Sequence, residues 1–294
     1  MQTRATSFGR IAYREAGPGG RPTALFVHGV LTNGSLWDGV IAEIAGDRRC
    51  LAPDLLGHGE TTGVDPGQDL SFGPQADMLI ELVEALGTGP VDLVGNDSGG
   101  AICQIFVARR PDLVRSLSLT NCDTAGNVVP DALVPFMEGA RRGEALALFE
   151  SMAGDLGMAR AVLGTGLADP DGVSDEVVRG FVEPVVRHER SERAIQRWMT
   201  DLTDRDLQAV QDDLGRLDVP TLVLWGTDDV FFPVDDARRL AALIPGAELV
   251  EVPGAKLFHP LEQPDLLAGH LRRLWGLPPA TVSGSTPAAA TGRP

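Results

Sequence analysis

The sequence is poor in the features of exported, membrane-spanning or disulfide-stapled proteins. It has three cysteines in 294 residues, an odd number that cannot all pair, which suits a reducing compartment better than an oxidising one. No apolar run approaches the roughly 18–20 residues that span a bilayer. The N-terminus also lacks the apolar core of a secretory signal. We therefore expect a cytoplasmic protein that does not associate with membranes.

Basic residues are scarce as well. Lys plus Arg number 25 against 41 Asp plus Glu, for a net charge of −16, and Lys256 is the only lysine. A surface this negative repels phosphate backbones and anionic lipid headgroups. Nucleic acid and membranes are therefore unexpected partners, and we expect a small-molecule substrate. The sequence gives no signal for an oligomeric state.

Short apolar runs alternate with helical patterns along most of the chain, which is typical of an α/β protein with a mostly parallel sheet. Residues 124–214 break this alternation with helical patterns that Gly and Pro interrupt. We expect them to form a helical lid over the carboxyl ends of the strands, where ligands bind in such sheets. Residues 1–123 and 215–276 would form the core, and residues 277–294, which lack apolar periodicity, are predicted to be disordered. Strands are predicted at 10–15, 23–27, 49–54, 91–95, 114–120, 221–225 and 248–252.

The segment Gly95-Asn96-Asp97-Ser98-Gly99-Gly100 joins a predicted buried strand to a predicted helix. Small residues around a tight strand-to-helix turn let the central side chain project above the helix N-terminus. The segment resembles the nucleophile elbow of the α/β-hydrolase family. Three more segments match that family in the same order along the chain: His28-Gly29 resembles its oxyanion-hole motif, Asp54 to Gly59 a loop after a strand, and Gly226 to Pro233 the segment of the triad acid.

This resemblance covers residues 10–275 and implies the α/β-hydrolase fold. The fold is a mostly parallel eight-stranded sheet flanked by helices, with the lid inserted between strands 6 and 7. The spacing of the glycines places Asp97 in the nucleophile position. An aspartate there is similar to haloalkane dehalogenases and epoxide hydrolases, which attack carbon and form an alkyl ester. The alternative interpretation is a carboxylate that only caps the following helix.

The resemblance also implies further site residues. The backbone N–H groups of Val30 and Ser98 would form the oxyanion hole, and Asp229 would be the triad acid. The family's base, however, falls on Leu257 when the segment is aligned on Phe258, Glu262 and Pro264. Leucine cannot accept a proton, so it could not activate water against an ester on Asp97.

His259 lies two positions beyond this site and is a candidate replacement; the alternative is a surface imidazole. Asp229 would then either cap a helix, or be a retained ancestral carboxylate, or act as a second carboxylate near Asp97 that raises the pKa of one of the two and creates an acid–base pair. We expect Leu257, Phe258 and Trp198 to line the substrate pocket. No spacing indicates a metal site or a cofactor loop.

The sequence lacks side chains that haloalkane dehalogenases and epoxide hydrolases each use. Haloalkane dehalogenases resemble one another in holding the halide with a Trp directly after the Asp and with a polar side chain after His-Gly. In this sequence those positions are Ser98 and Val30, so the side chains that hold the halide are missing. Tyr13 is the only tyrosine, so the lid lacks the tyrosines that epoxide hydrolases use. We therefore expect non-hydrolytic acid–base chemistry on a small, largely apolar molecule, such as cyclisation or intramolecular carbon–carbon bond formation in specialised metabolism. A hydrolase of the Asp-nucleophile type that uses His259 is the alternative, and a non-catalytic ligand-binding protein is the second.

Overall fold

The computed structural model describes residues 1–61, 64–187 and 189–279, without the side chains of residues 189–192. Its centre is one eight-stranded sheet with the order β1-β2-β4-β3-β5-β6-β7-β8. The β1–β2 and β2–β4 pairs are antiparallel and the other five are parallel, which confirms the predicted sheet. The strands are β1 Gln2–Thr6, β2 Gly9–Ala16, β3 Thr23–Val27, β4 Arg49–Pro53, β5 Val91–Asp97, β6 Val114–Cys122, β7 Thr221–Gly226 and β8 Glu248–Val252.

Burial along the sheet follows the apolar runs of the sequence. Every residue of β3, β5 and β7 is buried, as expected for parallel strands covered by helices on both faces. The first strand, β1, is different, because four of its five residues are polar and four are exposed. It joins the sheet through an antiparallel pairing with β2. Because it has no apolar pattern, the sequence did not predict it.

Six helices of the described chain connect the strands or close the fold. They are α1 Asp38–Ile44, α2 Phe72–Leu86, α3 Ser98–Arg109, α11 Val234–Leu243, α12 His259–Glu262 and α13 Pro264–Leu274. The end of α2 is set by Gly87, whose left-handed backbone lets its N–H reach back to the last turn. None of the helices in the described ranges is long and apolar enough to cross a bilayer.

Seven further helices of the described chain lie between β6 and β7, where the lid was predicted. They are α4 Val134–Arg141, α5 Ala145–Gly154, α6 Leu156–Gly164, α7 Asp175–Arg187, α8 Glu189–Asp201, α9 Arg205–Ala209 and α10 Gln211–Leu214. The domain boundaries given above stay predictions. Most of the predicted disordered tail, residues 280–294, lies outside the described residues.

Candidate active site

Asp97 sits on a strained turn between β5 and α3. Its backbone is left-handed, with φ 56° and ψ −136°, a conformation that costs a non-glycine residue energy and that clusters at functional sites. The surrounding glycines are required sterically: a Cβ at Gly99 would overlap the carbonyl oxygen of Val27, and one at Gly100 would overlap the Cys122 side chain. The tight packing between α3 and the neighbouring strands therefore holds the turn in place.

The carboxylate of Asp97 is buried, with its residue only 5% exposed. Burial raises its pKa to about 8, against the lowering effect of the Ser98 and Val30 backbone N–H groups that donate to it, while the nearby charge of Asp229 raises it further. The Oδ2 atom has no hydrogen-bond partner among the described residues. At neutral pH most of the Asp97 side chains in the empty site therefore carry a proton.

The turn after β3 packs closely against the Asp97 carboxylate. A Cβ at Gly29 would overlap this carboxylate, so only glycine allows the two segments to approach. His28 fixes the turn, because its Nε2 accepts the Leu55 N–H at 3.0 Å and its Nδ1 lies 2.8 Å from the Gly29 carbonyl. Burial lowers the pKa of His28 well below its usual value, which keeps the ring neutral. The two predicted oxyanion donors thus face Asp97 itself in this structure.

Asp229 follows β7, and in the described structure none of its hydrogen bonds comes from a histidine. Its Oδ2 accepts the Asn121 side-chain amide at 2.7 Å, and its Oδ1 accepts the Phe231 N–H at 2.9 Å. Burial raises its pKa to about 6, although these hydrogen bonds act in the opposite direction. Asn121, at the end of β6, also bonds both the N–H and the carbonyl of Gly226. The sequence analysis did not single out this asparagine.

Leu257 stands on the wall of the site. Its side chain lines the cavity that contains Asp97, and its carbonyl accepts the Asn96 side-chain amide at 2.9 Å. Asn96 precedes Asp97, so this bond ties the loop of Leu257 to the elbow. An aliphatic side chain is fixed beside the carboxylate at the position where the family resemblance places a base.

His259 is buried, not a surface imidazole. It is 0% exposed, and neither ring nitrogen has a hydrogen-bond partner in the described structure. Burial alone lowers its pKa to about 3. A carboxylate in contact with the ring would raise that pKa, and no such contribution from Asp97 or Asp229 is present. The imidazole is therefore neutral, and it is not hydrogen-bonded to Asp97 or Asp229.

The two aromatic residues expected in the pocket have different positions. Phe258 lines the cavity, and its N–H donates to the Gly166 carbonyl of the lid at 2.9 Å. Trp198 is not among the cavity-lining residues. Its ring packs edge-on against His58, with centroids 5.2 Å apart, and against Phe72. Trp198 was expected in the pocket as an aromatic side chain of the predicted lid, and its sequence does not indicate that its ring packs on His58 and Phe72.

The cavity above Asp97 is small and largely apolar. Its volume is about 40 Å³. Three of its lining side chains are polar: Asp97, Ser98 and Asp123. The apolar part of the lining comes from the core loops and from the lid, namely Val30, Leu31, Pro130, Leu133, Val162, Leu163, Leu202, Phe231, Phe232, Leu257 and Phe258.

Asp123 is the site residue that the sequence analysis missed. It follows β6, is 2% exposed, and leaves its Oδ2 without a hydrogen-bond partner among the described residues. Burial and then the charge of Asp97 raise its pKa well above its usual value, while a hydrogen bond from the Ser98 side chain lowers it. Asp123 directly follows the observed β6 but lies three residues beyond the end of the predicted strand at residue 120, and no motif marked it.

Comparison with known proteins agrees with this geometry. The α/β hydrolase fold family matches residues 22–262, which is most of the chain. The chain belongs to this family. As an α/β-hydrolase-fold enzyme, it is 30% identical over 264 residues to an uncharacterised protein of Mycobacterium tuberculosis, covering 85% of this chain and 73% of that protein.

Two further proteins show how broad the likeness is. A monoacylglycerol lipase of Xenopus laevis is 25% identical over 260 residues, which cover 85% of this chain and 74% of the lipase. A haloalkane dehalogenase loop variant from Bradyrhizobium elkanii superposes with a TM-score of 0.73 at 23% identity, over 94% of this chain and 97% of that one. At that identity the dehalogenase supports the fold and not the reaction.

Proposed function

We propose that this enzyme performs acid–base chemistry on a small, largely apolar organic molecule and does not turn over a covalent ester. The observation that carries the proposal is the pairing of a buried Asp97 carboxyl with the aliphatic side chain of Leu257. Hydrolysis of an ester on Asp97 needs a base that activates water. Neither Leu257 nor the buried, neutral ring of His259 meets that need.

The protonation state of Asp97 supports the same conclusion. Its pKa of about 8 leaves only a small fraction ionised at neutral pH, and the protonated form is a poor nucleophile. A general acid or base works best when its pKa lies near the working pH. Asp97 is therefore better suited to exchange protons with a substrate than to attack carbon.

The cavity wall supports an apolar substrate. Apart from the three polar side chains, the lining is aliphatic or aromatic, so a ligand is held mainly by burial of apolar surface. Cyclisation, intramolecular carbon–carbon bond formation and elimination all proceed through proton removal and return without water as a reactant. These are the reaction types we propose, in specialised metabolism.

The proposal is tested by proton exchange. Small apolar ketones are incubated with the protein in deuterium oxide, and deuterium at the carbon next to the carbonyl is followed by NMR. We expect exchange that Asp97→Asn reduces by about 100-fold or more and that Asp228→Asn, on the exposed neighbouring residue, leaves unchanged. Absence of Asp97-dependent exchange for every ketone, together with turnover of esters, epoxides or haloalkanes, contradicts the proposal.

Hydrolysis through an Asp97 ester is the second candidate, favoured by the lipase relative and by the intact elbow. Oxygen-18 water separates the two. Hydrolysis of such an ester places the label in the Asp97 carboxyl after a single turnover, which mass spectrometry of the peptide detects. Acid–base chemistry leaves that peptide unlabelled while product forms.

Replacing Leu257 with histidine tests whether the missing base is what prevents hydrolysis. We expect Leu257→His to raise the release of nitrophenolate from short aryl esters by about tenfold or more. The new imidazole would stand on the cavity wall beside Asp97. The matched control is Leu257→Gln, which is polar and similar in size but has no titrating group. Equal rates for the two variants would contradict the assignment.

A further inference from the structure

The Asp123 carboxyl is the one polar side chain of the cavity wall for which the proposed function so far has no use. Asp97 would act as the base, and Ser98 supplies a backbone donor to it. Asp123 is as deeply buried as Asp97, lines the same cavity, and has an unpartnered Oδ2. An unpaired polar atom shut away from water is costly, so it needs an explanation.

We infer that Asp123 is a second catalytic carboxyl, which donates a proton to an oxygen of the substrate while Asp97 accepts one from carbon. This inference rests on the proposed acid–base function. It assigns a substrate class, namely an apolar molecule with a carbonyl or similar accepting oxygen. The two carboxyls would work as one pair on opposite sides of the bound group.

The need for a second donor follows from the way the elbow is built. The backbone N–H groups of Val30 and Ser98 act on the Asp97 carboxylate and lower its pKa, so they are directed at Asp97 when it is the base. A negative charge that develops on a substrate oxygen needs another donor in this cavity. Within the described lining, Asp123 is the remaining carboxyl, and its Oδ2 has no hydrogen-bond partner.

The surroundings of the two carboxyls divide the roles between them. Asp97 has two backbone N–H donors that favour its ionised form. The Ser98 hydroxyl lies 3.5 Å from Asp97 Oδ1 and also lowers the pKa of Asp123, which faces the charges of Asp97 and Asp204. We therefore assign the base to Asp97 and the acid to Asp123, because the charge of Asp97 adds to the burial that raises the pKa of Asp123. Such a separation of two neighbouring groups assigns the base and the acid.

Other titratable groups surround the pair. The charge of Asp229 raises the pKa of Asp97 and so opposes its ionisation, while Lys256 lowers the pKa of Asp229. Cys122, next to Asp123, is buried and has a raised pKa, so it stays a neutral thiol. The balance of charges around Asp123 is negative, which favours its protonated form.

The step that this arrangement supports conserves protons and needs no co-reactant. The Asp97 carboxylate takes a proton from the carbon beside a carbonyl, and the bond electrons form the carbon–carbon double bond. The Asp123 O–H gives its proton to the carbonyl oxygen, so an enol forms while Asp97 becomes the acid and Asp123 the carboxylate. Return of a proton to a different carbon, or ring closure by the enol carbon, follows from this intermediate.

The pair is tested first without any substrate. Side-chain carboxyls of aspartate are labelled with carbon-13, and their titration is followed by NMR in the wild type, Asp97→Asn, Asp123→Asn and Asp204→Asn. We expect two carboxyls to titrate above the usual range of an aspartate, one of them near the pKa of about 8 of Asp97. Asp123→Asn should remove one of these titrations, whereas Asp97→Asn should remove the other and lower the pKa of Asp123.

Two results of this titration would overturn the inference. One is an Asp123 carboxyl that titrates in the acid range with the exposed aspartates. The other is an Asp123 titration that does not move in Asp97→Asn. Asp204→Asn is the matched control, because it removes a neighbouring negative charge without altering the cavity wall; it should leave both carboxyls titrating and lower the pKa of Asp123 only.

The ketone exchange assay then separates this inference from the function on which it rests. We expect Asp123→Asn to lower exchange by about 100-fold and Asp204→Asn to leave it unchanged. Loss of exchange in Asp97→Asn but not in Asp123→Asn refutes the role of Asp123 and leaves the proposed function intact. Oxygen-18 in the Asp97 carboxyl refutes the proposed function, whatever the titration shows.

Discussion

A single buried carboxyl, Asp97, sets both the chemistry and a cost in stability. In the unfolded chain an aspartate ionises near its ordinary pKa, whereas in the folded protein Asp97 keeps its proton up to a pKa of about 8. A group with a raised acid pKa destabilises the folded state increasingly as the pH rises between those two values. The penalty is absent in strong acid and complete above the folded pKa.

Asp97→Asn should therefore be more stable than the wild type, and increasingly so toward alkaline pH. We expect a gain in the free energy of unfolding of about 2 kcal/mol or more near pH 8.5 and less than half of that near pH 5. Asparagine keeps the oxygen that accepts the backbone N–H groups but cannot ionise. Urea unfolding at the two pH values checks this, and an equal gain at both would contradict the raised pKa.

At the residue scale, the sequence located the elbow but not all of the site. The glycines around Asp97 act through local sterics, so their spacing predicted the turn. Asp123 and Asn121 act through neighbours on other strands, and nothing within their own segment indicates those partners. Trp198 is absent from the lining of the Asp97 cavity for a related reason, because its sequence does not say which element its ring meets.

At the scale of elements, the contact between α3 and β6 decides whether the elbow can form. A Cβ at Gly100 would overlap the Cys122 side chain at the end of β6, and α3 cannot move away without moving Asp97. Overpacking of this kind costs about 1–3 kcal/mol. Gly269 offers a comparison, since it lies in the exposed part of α13 and a Cβ there would meet nothing within 4 Å.

We expect Gly100→Ala to lower the free energy of unfolding by about 1–3 kcal/mol and to disturb the titration of Asp97. Gly269→Ala should instead raise stability by about 0.5–1 kcal/mol, because alanine favours the helix. Chemical denaturation of both variants measures the two changes. A Gly100→Ala protein as stable as Gly269→Ala would show that the packing around the elbow can relax.

The apolar pattern predicted the bounds of an element correctly where the element is fully buried. The predicted strand at residues 23–27 coincides with β3, because a continuous apolar run between turn residues leaves little choice. The polar strand β1 depends on the edge that β2 offers it, a partner that its own residues do not reveal. Helices α4 to α10 lie between β6 and β7, whereas the predicted bounds of the lid stay predictions, because they depend on packing between helices.

At the scale of the whole molecule, the two ends of the sheet have different tasks. The carboxyl ends of β5 and β6 hold the carboxyls of the site, whereas the start of β5 holds a buried ion network. There Asp92 accepts the Arg48 guanidinium at 2.8 Å, the Ser116 hydroxyl at 2.9 Å and Arg115 at 3.2 Å. Trp275 stacks on Arg48 and bonds Ser116, which attaches the end of the chain's last described helix to the sheet.

Removal of Asp92 should destabilise the protein without altering the site. We expect Asp92→Ala to lower the free energy of unfolding by about 3–5 kcal/mol, because it leaves a buried arginine without its partner. Asp77→Ala, which removes an exposed partner of Arg109, should cost about 1 kcal/mol or less. Denaturation gives both values, and a changed Asp97 titration in folded Asp92→Ala would contradict the separation of tasks.

The attachment of the lid to the Leu257 loop has a consequence for how a ligand enters. Gly166 bonds the Phe258 N–H, and the Glu262 carboxylate accepts the N–H groups of Ala168 at 3.0 Å and Asp169 at 2.7 Å. These three bonds couple residues 166–169 to the segment that carries Leu257. We expect that any displacement of residues 166–169 on ligand entry would also move Leu257, and so would reshape the pocket in which protons are transferred.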